Sequence, residues 1–277
     1  VLSILSGRIP YRDDFNHHFP GYIYQFVLTA KAFGFSLKLV DQTAILTQAG
    51  VGLGCFLCTR LLVGNLAGIA MGLAVVSARQ PWVLGFQVQY QLNLLYVFAL
   101  YFTLAALERR TQLNFLACCL LLGLTFWFDQ RALFLSFLAI CSGIILLRSD
   151  AINRQTLGLG LLIYLSPWIL YAIYLYANSA LTPFWEQTIV YPRTYRVGSF
   201  DTYSLFSHGL KVFTHLKTTP FLTLSGLLGL VLLLKHEQHL MLHKRMLLIL
   251  LSTIPVCLMP LFGSRDFDYY SLSLLPH

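Results

Sequence analysis

The chain has 277 residues, 57% of them hydrophobic and 11% charged, with a mean hydropathy of +0.69. An average soluble domain is about 25% charged, so an ordinary soluble enzyme is excluded and an integral, multi-pass membrane protein is expected. The net charge of +8 falls in the connections, which suits anionic lipid headgroups or phosphates. No basic, aromatic-interleaved module for nucleic acid is present.

In chain order, residues 1–6 read as the last turn of a preceding helix. The chain starts at Val1 and stops at His277 inside a fresh apolar run, "YYSLSLLPH". It is therefore expected to be a fragment lacking a first helix and one or more last ones. Next comes "GRIPYRDDFNHHFPGYIYQ", residues 7–25, which gathers two adjacent carboxylates, two adjacent histidines and two arginines. Residues 20–34, "PGYIYQFVLTAKAFG", are apolar but short, aromatic-rich and interrupted by Gln25 and Lys31. They are expected to lie in the membrane interface rather than cross it.

Apolar runs follow at about 38–60, 64–78, 88–107, 111–127, 131–147, 157–177, 219–234 and 244–262, and another begins near 270. A crossing needs about 20 apolar residues, so the expectation is an all-α transmembrane bundle of about 8 complete spans plus the juxtamembrane helix. No repeat or soluble domain interrupts it, and 1–277 reads as one domain. Within it, 1–37 forms a first extracytoplasmic loop with its interfacial helix. Residues 178–218 are the only long connection, and long structured loops are usually functional.

Strict alternation places Arg60, "ERR" at 108–110, Arg148 to Arg154 and "KHEQHLMLHKR" at 235–245 on one side. The other side receives the opening stretch, Arg79, "DQR" at 129–131, the long loop and "SRDFD" at 264–268. Lys and Arg divide 8 to 11 between them, but the positive-inside bias counts short loops near span ends. The first side has only short basic loops and is expected to be cytoplasmic, in a plasma membrane. The six cysteines all fall in apolar runs, and even "CFLC" at 55–58 is expected to be packing rather than a metal or redox site.

The charged clusters then share the extracytoplasmic face: Arg12, Asp13, Asp14, His17 and His18; Asp129 and Arg131; Arg193 and Arg196; Arg265, Asp266 and Asp268. Ionisable groups at membrane level are expensive and signal function. A carboxylate beside arginines can take a proton from a hydroxyl while guanidinium forks hold a phosphate. The same groups can also be plain ion pairs, with Asp13 or Asp14 bonded to Arg8 or Arg12. His17 and His18 can flank the loop as solvated residues or join the aspartates on a metal. His236, His239 and His243 have ligand-like spacing but sit beside Lys235 and Lys244 on an expected solvated face.

The stretch "GRIPYRDDFNHHFPGYIYQFVLTAKAFGFS" resembles the first extracytoplasmic loop of GT-C glycosyltransferases of the dolichyl-phosphate-mannose protein mannosyltransferase and aminoarabinose transferase type. There a Gly, a Pro/Leu-Tyr-x-Asp and a Pro-containing start of an interfacial helix follow the first membrane helix. "GSRDFDYYSLSLLP" is similar to their later Arg-x-Phe-x-His-Tyr element. "RRTQLNFLACCLLLGLTFWFDQRALFL" is similar to a span ending in a basic turn, and "PFWEQTIVYP" to a loop ahead of their later helices.

The resemblance implies transfer of a sugar from a polyprenyl-phosphate donor to a lipid, glycan or protein acceptor, with inversion, at the extracytoplasmic face. It matches Asp13 to the family's essential acid, as base or as ligand of a divalent metal, and leaves the cofactor otherwise open. Asp14 is an extra neighbour, and repulsion between adjacent carboxylates is expected to raise the pKa of one of them. Arg265 and Arg131 match arginines near the lipid phosphate, and Arg12, Asp14, Tyr269 and Tyr270 join the substrate-binding set. Tyr269 stands where relatives carry His, and residues 87–93, "QVQYQLN", offer uncharged polar groups where many relatives carry an acid. A secondary transporter with carboxylate proton or cation sites is the alternative.

Overall fold

The computed structural model describes residues 1–16, 18–36, 38–77, 88–109, 111–128, 132, 136–148 and 150–191. Most of these residues are helical, with no strand among them. In order they form α1 (Leu2–Leu5), α2 (Pro20–Phe33), α3 (Leu39–Leu62), α4 (Asn65–Ser77) and α5 (Val88–Arg109). They continue with α6 (Gln112–Thr125), α7 (Ser136–Arg148), α8 (Arg154–Ala177), α9 (Leu181–Trp185) and a π-helical turn at Glu186–Val190. The apolar runs at 219–234, at 244–262 and from about 270 lie outside the described residues.

Three of these helices are long and apolar enough to cross a membrane: Leu39–Leu62, Gln91–Arg109 within α5, and Arg154–Ala177. Asn65–Ser77, Gln112–Thr125 and Leu138–Arg148 are apolar but shorter. At 1.5 Å per residue the 14-residue α6 is about 21 Å long, against a hydrocarbon core of about 30 Å. Large apolar side chains such as Ile45 and Leu53 of α3, and Leu162, Leu170 and Ile173 of α8, are exposed.

Local chemistry explains most helix ends. Pro20 occupies the first position of α2 behind an extended Phe19, where its fixed φ is an advantage and its missing N–H costs nothing. The helix buries Ile23, Phe26, Val27 and Ala30 along one stripe and ends at Gly34, whose φ is +80°. At the start of α8, the Asn153 Oδ1 accepts from the Thr156 N–H at 2.8 Å and from its hydroxyl at 2.9 Å. Pro167 lies inside α8 and leaves the Ile163 carbonyl without its usual N–H partner. The Ser166 hydroxyl donates to that carbonyl at 2.8 Å instead.

The bundle is built chiefly by α3 against α4 and α5, and by α6 against α5 and α8. Small residues permit close crossings. A Cβ on Gly68 of α4 would lie 2.9 Å from the Phe56 carbonyl oxygen of α3. One on Gly123 of α6 would overlap the Tyr164 carbonyl oxygen of α8. The main core joins Val51, Cys55 and Cys58 of α3 to Leu92, Tyr96 and Leu104 of α5, with Cys118 and Leu122 of α6 and Leu138 of α7. Cys55, Cys58, Cys118 and Cys119 are thus buried packing residues with free thiols. Gln91 and Asn93, from the uncharged polar run, are buried near the start of α5.

Candidate functional site

The short helix α1 is capped at Ser6, Gly7 follows with φ +91°, and residues 8–16 then fold into a tight loop. Two reciprocal contacts close it. The Asp13 N–H donates to the Ile9 carbonyl at 3.0 Å, and the Ile9 N–H donates to Asp13 Oδ2 at 2.7 Å. The Tyr11 N–H donates to the Asp14 carbonyl at 3.1 Å. Tyr11 itself is held at φ +69°, a left-handed conformation that is uncommon for a bulky residue and is kept only where surrounding contacts fix it.

Those contacts come from burial. Tyr11 is 2% exposed and its ring meets Phe184 edge-on at 5.0 Å. Its hydroxyl donates to the His18 carbonyl at 2.8 Å. Burial pushes the Tyr11 phenol well above its ordinary pKa, so it stays a neutral donor. Around it, Phe19, Tyr171, Leu175 and Phe184 form a second core that includes the partly buried Trp127 and Trp168. Phe19 reaches Trp168 at 6.0 Å and Phe126 at 6.3 Å. The Gly21 N–H donates to the Trp127 carbonyl at 2.8 Å, tying the start of α2 to the end of α6. Among the described residues the indole N–H groups of Trp127 and Trp168 are buried without an acceptor.

The charged residues sit on the outside of this loop. Arg12 forks onto Asp13, with Nε to Oδ1 at 2.8 Å and Nη2 to Oδ2 at 3.1 Å. Its Nη1 donates to the Asn178 carbonyl at 3.3 Å, at the carboxyl end of α8, where a cation is favoured. Arg8 Nη1 meets Asp14 Oδ1 at 3.2 Å. The Arg12 fork, aided by the Ile9 N–H, holds the Asp13 carboxyl at about 2, below the ordinary carboxylate range. The same pair raises the Arg12 guanidinium. Adjacency of the two aspartates therefore does not raise Asp13: each carboxylate has its own arginine, and attraction at contact outweighs repulsion between neighbours.

The loop is gripped by a residue 171 positions from Asn16 in sequence. Gln187, on the π-turn after α9, accepts from the Asn16 N–H at 2.7 Å and donates to the Tyr11 carbonyl at 2.8 Å. Tyr191 meets Phe15 edge-on at 4.9 Å. The long connection expected at 178–218 is helical over Leu181–Trp185 and Glu186–Val190. Its propensity is poor, with Pro183 near the start, but burying Phe184 and Thr188 fixes it, and the Thr188 hydroxyl donates to the Phe184 carbonyl at 2.7 Å. Sequence reasoning passed over Gln187. The signal was there in the spacing of Phe184, Gln187 and Tyr191 at i, i+3 and i+7, one helical face.

Of the expected site residues, Arg12, Asp13 and Asp14 are brought together on this loop. His18 is beside them, its ring 4.4 Å from that of Tyr22. His17, Asp129, Arg131, Arg193, Arg196, His236, His239, His243, Arg265, Tyr269 and Tyr270 lie outside the described residues. Among the described residues no group of three or more His, Cys, Asp or Glu side chains is placed to hold a metal ion. Both oxygens of Asp13 are engaged by Arg12 and the Ile9 N–H, so these residues do not present a ready carboxylate set to a divalent cation. No known family model, curated protein or solved structure matches this chain.

Proposed function

We propose that the chain is a GT-C-like bundle of about eight spans that transfers a sugar from a polyprenyl-phosphate donor to an acceptor at the extracytoplasmic face. The observation that carries this reading is the loop 8–16. An ionised carboxylate is locked in a folded loop, flanked by guanidinium groups, at the end of an apolar helix long enough to span a membrane. The resemblance of "YRDD" and its flanks to the first loop of GT-C enzymes supports the same assignment.

In this reading Asp13 orients the acceptor hydroxyl and takes its proton late. A carboxylate held as low as about 2 is too weak a base to ionise a free alcohol in advance. It can accept the proton once the new C–O bond has begun to form and the hydroxyl has turned acidic. The bond from the anomeric carbon to the phosphate oxygen breaks on the opposite side, and the phosphate leaves with the electron pair. Stabilising that growing charge raises turnover rather than binding alone. Arg131 and Arg265 are the arginines the resemblance assigns to the phosphate, with Tyr269 and Tyr270 against the donor. Arg12 belongs to the loop's own framework through its fork on Asp13 and its bond to the Asn178 carbonyl.

A transporter would place carboxylates at mid-span. In the described long helices the charges sit at the ends: Asp41 and Arg60 in the first and last turns of α3, Arg109 in the last turn of α5, Arg154 at the start of α8. The test is transfer of labelled sugar from a polyprenyl-phosphate donor by the full-length protein in lipid nanodiscs. Asp13→Asn is expected to abolish transfer while leaving expression and donor binding intact, with Asp14→Asn less affected. Near-normal turnover by Asp13→Asn would overturn the assignment.

A further inference from the structure

The loop that carries Asp13 is closed by one side chain from outside it. We propose that Gln187 is the positioning residue of the site: it fixes the Asp13 carboxylate by bridging the backbone on both sides of it. This rests on the transfer reading above.

Gln187 bonds to Tyr11 and Asn16, which bracket residues 12–15. Tyr11 offers a carbonyl and Asn16 an N–H, so the bridging group must donate and accept at once. A side-chain amide does both, as a peptide group of a neighbouring strand would. The two bonds, at 2.8 and 2.7 Å, set the distance across the loop mouth. The Asp13–Arg12 fork is local and moves with the loop, and the bond from Arg12 to the Asn178 carbonyl is long at 3.3 Å. Gln187 thus supplies two short polar contacts between this loop and the 178–191 segment. The π-turn that presents it is a rare form of helix that is frequent at functional sites.

The substitutions separate the chemistry. Gln187→Met keeps the length and removes both bonds. Gln187→Glu, when ionised, still accepts from Asn16 but turns an oxygen on the Tyr11 carbonyl. When protonated it donates again. The experiment is hydrogen–deuterium exchange of peptides covering 8–18, together with transfer kinetics, on the full-length protein in nanodiscs. In Gln187→Met, exchange at the Asn16 amide is expected to rise about 10-fold, with α3 and α8 unchanged. Its kcat is expected to fall about 10- to 100-fold, with KM for the donor little altered. Gln187→Glu at pH 8 is expected to keep more protection at the Asn16 amide than Gln187→Met, because its carboxylate still accepts that N–H, and to lose kcat, because it sets an oxygen against the Tyr11 carbonyl.

Unchanged exchange in Gln187→Met would overturn the clamp. Raised exchange with wild-type kcat would overturn the positioning role. Absence of transfer by wild type itself would overturn the underlying reading, and the exchange data would still decide the clamp.

Discussion

The crossing of α6 and α8 gives the sharpest quantitative expectation. A Cβ added at Gly123 would overlap the Tyr164 carbonyl oxygen and lie 3.0 Å from its carbon and 3.2 Å from Tyr164 Cα. All three are helix backbone atoms that no rotamer change can move. Ordinary contacts between carbon atoms are about 3.5–4.0 Å, so Gly123→Ala must part the helices by on the order of 1 Å. A gap of that size forfeits about a quarter to a half of each contact's attraction. The loss extends along the interface, where Phe115 and Cys119 are fitted to Gly160, whose Cβ would be 2.7 and 3.1 Å from them. Overpacking of this kind costs about 1–3 kcal/mol, and the rigid partner places Gly123→Ala near the upper end. At about 2–4 °C per kcal/mol for a chain this size, its melting midpoint is expected to fall by about 6–12 °C. Gly158→Ala is the control: it lies on α8 with nothing within 4 Å of the added methyl, and its effect should not exceed about 1 kcal/mol. The assay is thermal unfolding in nanodiscs followed by intrinsic fluorescence. Equal midpoints for the two variants would refute the close crossing.

Asn153→Ala removes the acceptor of two bonds at the start of α8 and is expected to cost about 1 kcal/mol, with Asn153→Asp near wild type in the same melt. The Arg12 pair lowers the folded-state pKa of Asp13 to about 2 from the ordinary 3.8. Its contribution to stability is therefore complete above about pH 4 and fades as pH falls toward 2. An infrared titration, wild type minus Asp13→Asn, should accordingly show only the ionised carboxylate band between pH 5 and 8, and a protonated-acid band in that window would refute the pairing.

Helix positions were legible because apolar runs bounded by charge or Gly are the signal that bundles leave in a sequence. The run at 38–60 became Leu39–Leu62, and 20–34 became Pro20–Phe33, which has one buried stripe. Length was less legible. The run at 111–127 yields a helix of 14 residues, too short by itself for a straight crossing. The grouping of Arg12, Asp13 and Asp14 could be read from adjacency. Which arginine pairs with which acid could not, since the choice depends on the backbone reversal at Tyr11. That reversal in turn depends on a hole for the Tyr11 ring lined by Phe184, far along the chain. The helix at Leu181–Trp185 was hidden for the same reason, because tertiary burial rather than local preference holds it.

The contact between Asn16 and Gln187 spans 171 residues, which has a consequence for how the molecule is made. At about 5–20 residues per second of synthesis, the charged loop emerges roughly 9 to 34 s before its partner exists. During that interval it must survive beside a growing set of greasy segments without being drawn into them. Its two carboxylates and two arginines can already neutralise one another in that interval, and the observed pairs, Arg8 with Asp14 and Arg12 with Asp13, are selected once Phe184 receives the Tyr11 ring. The loop is in effect stored as a self-neutralised, water-soluble knot, and is docked only when the ribosome has delivered α9. A truncation before residue 187 would remove both bonds by which Gln187 holds the loop.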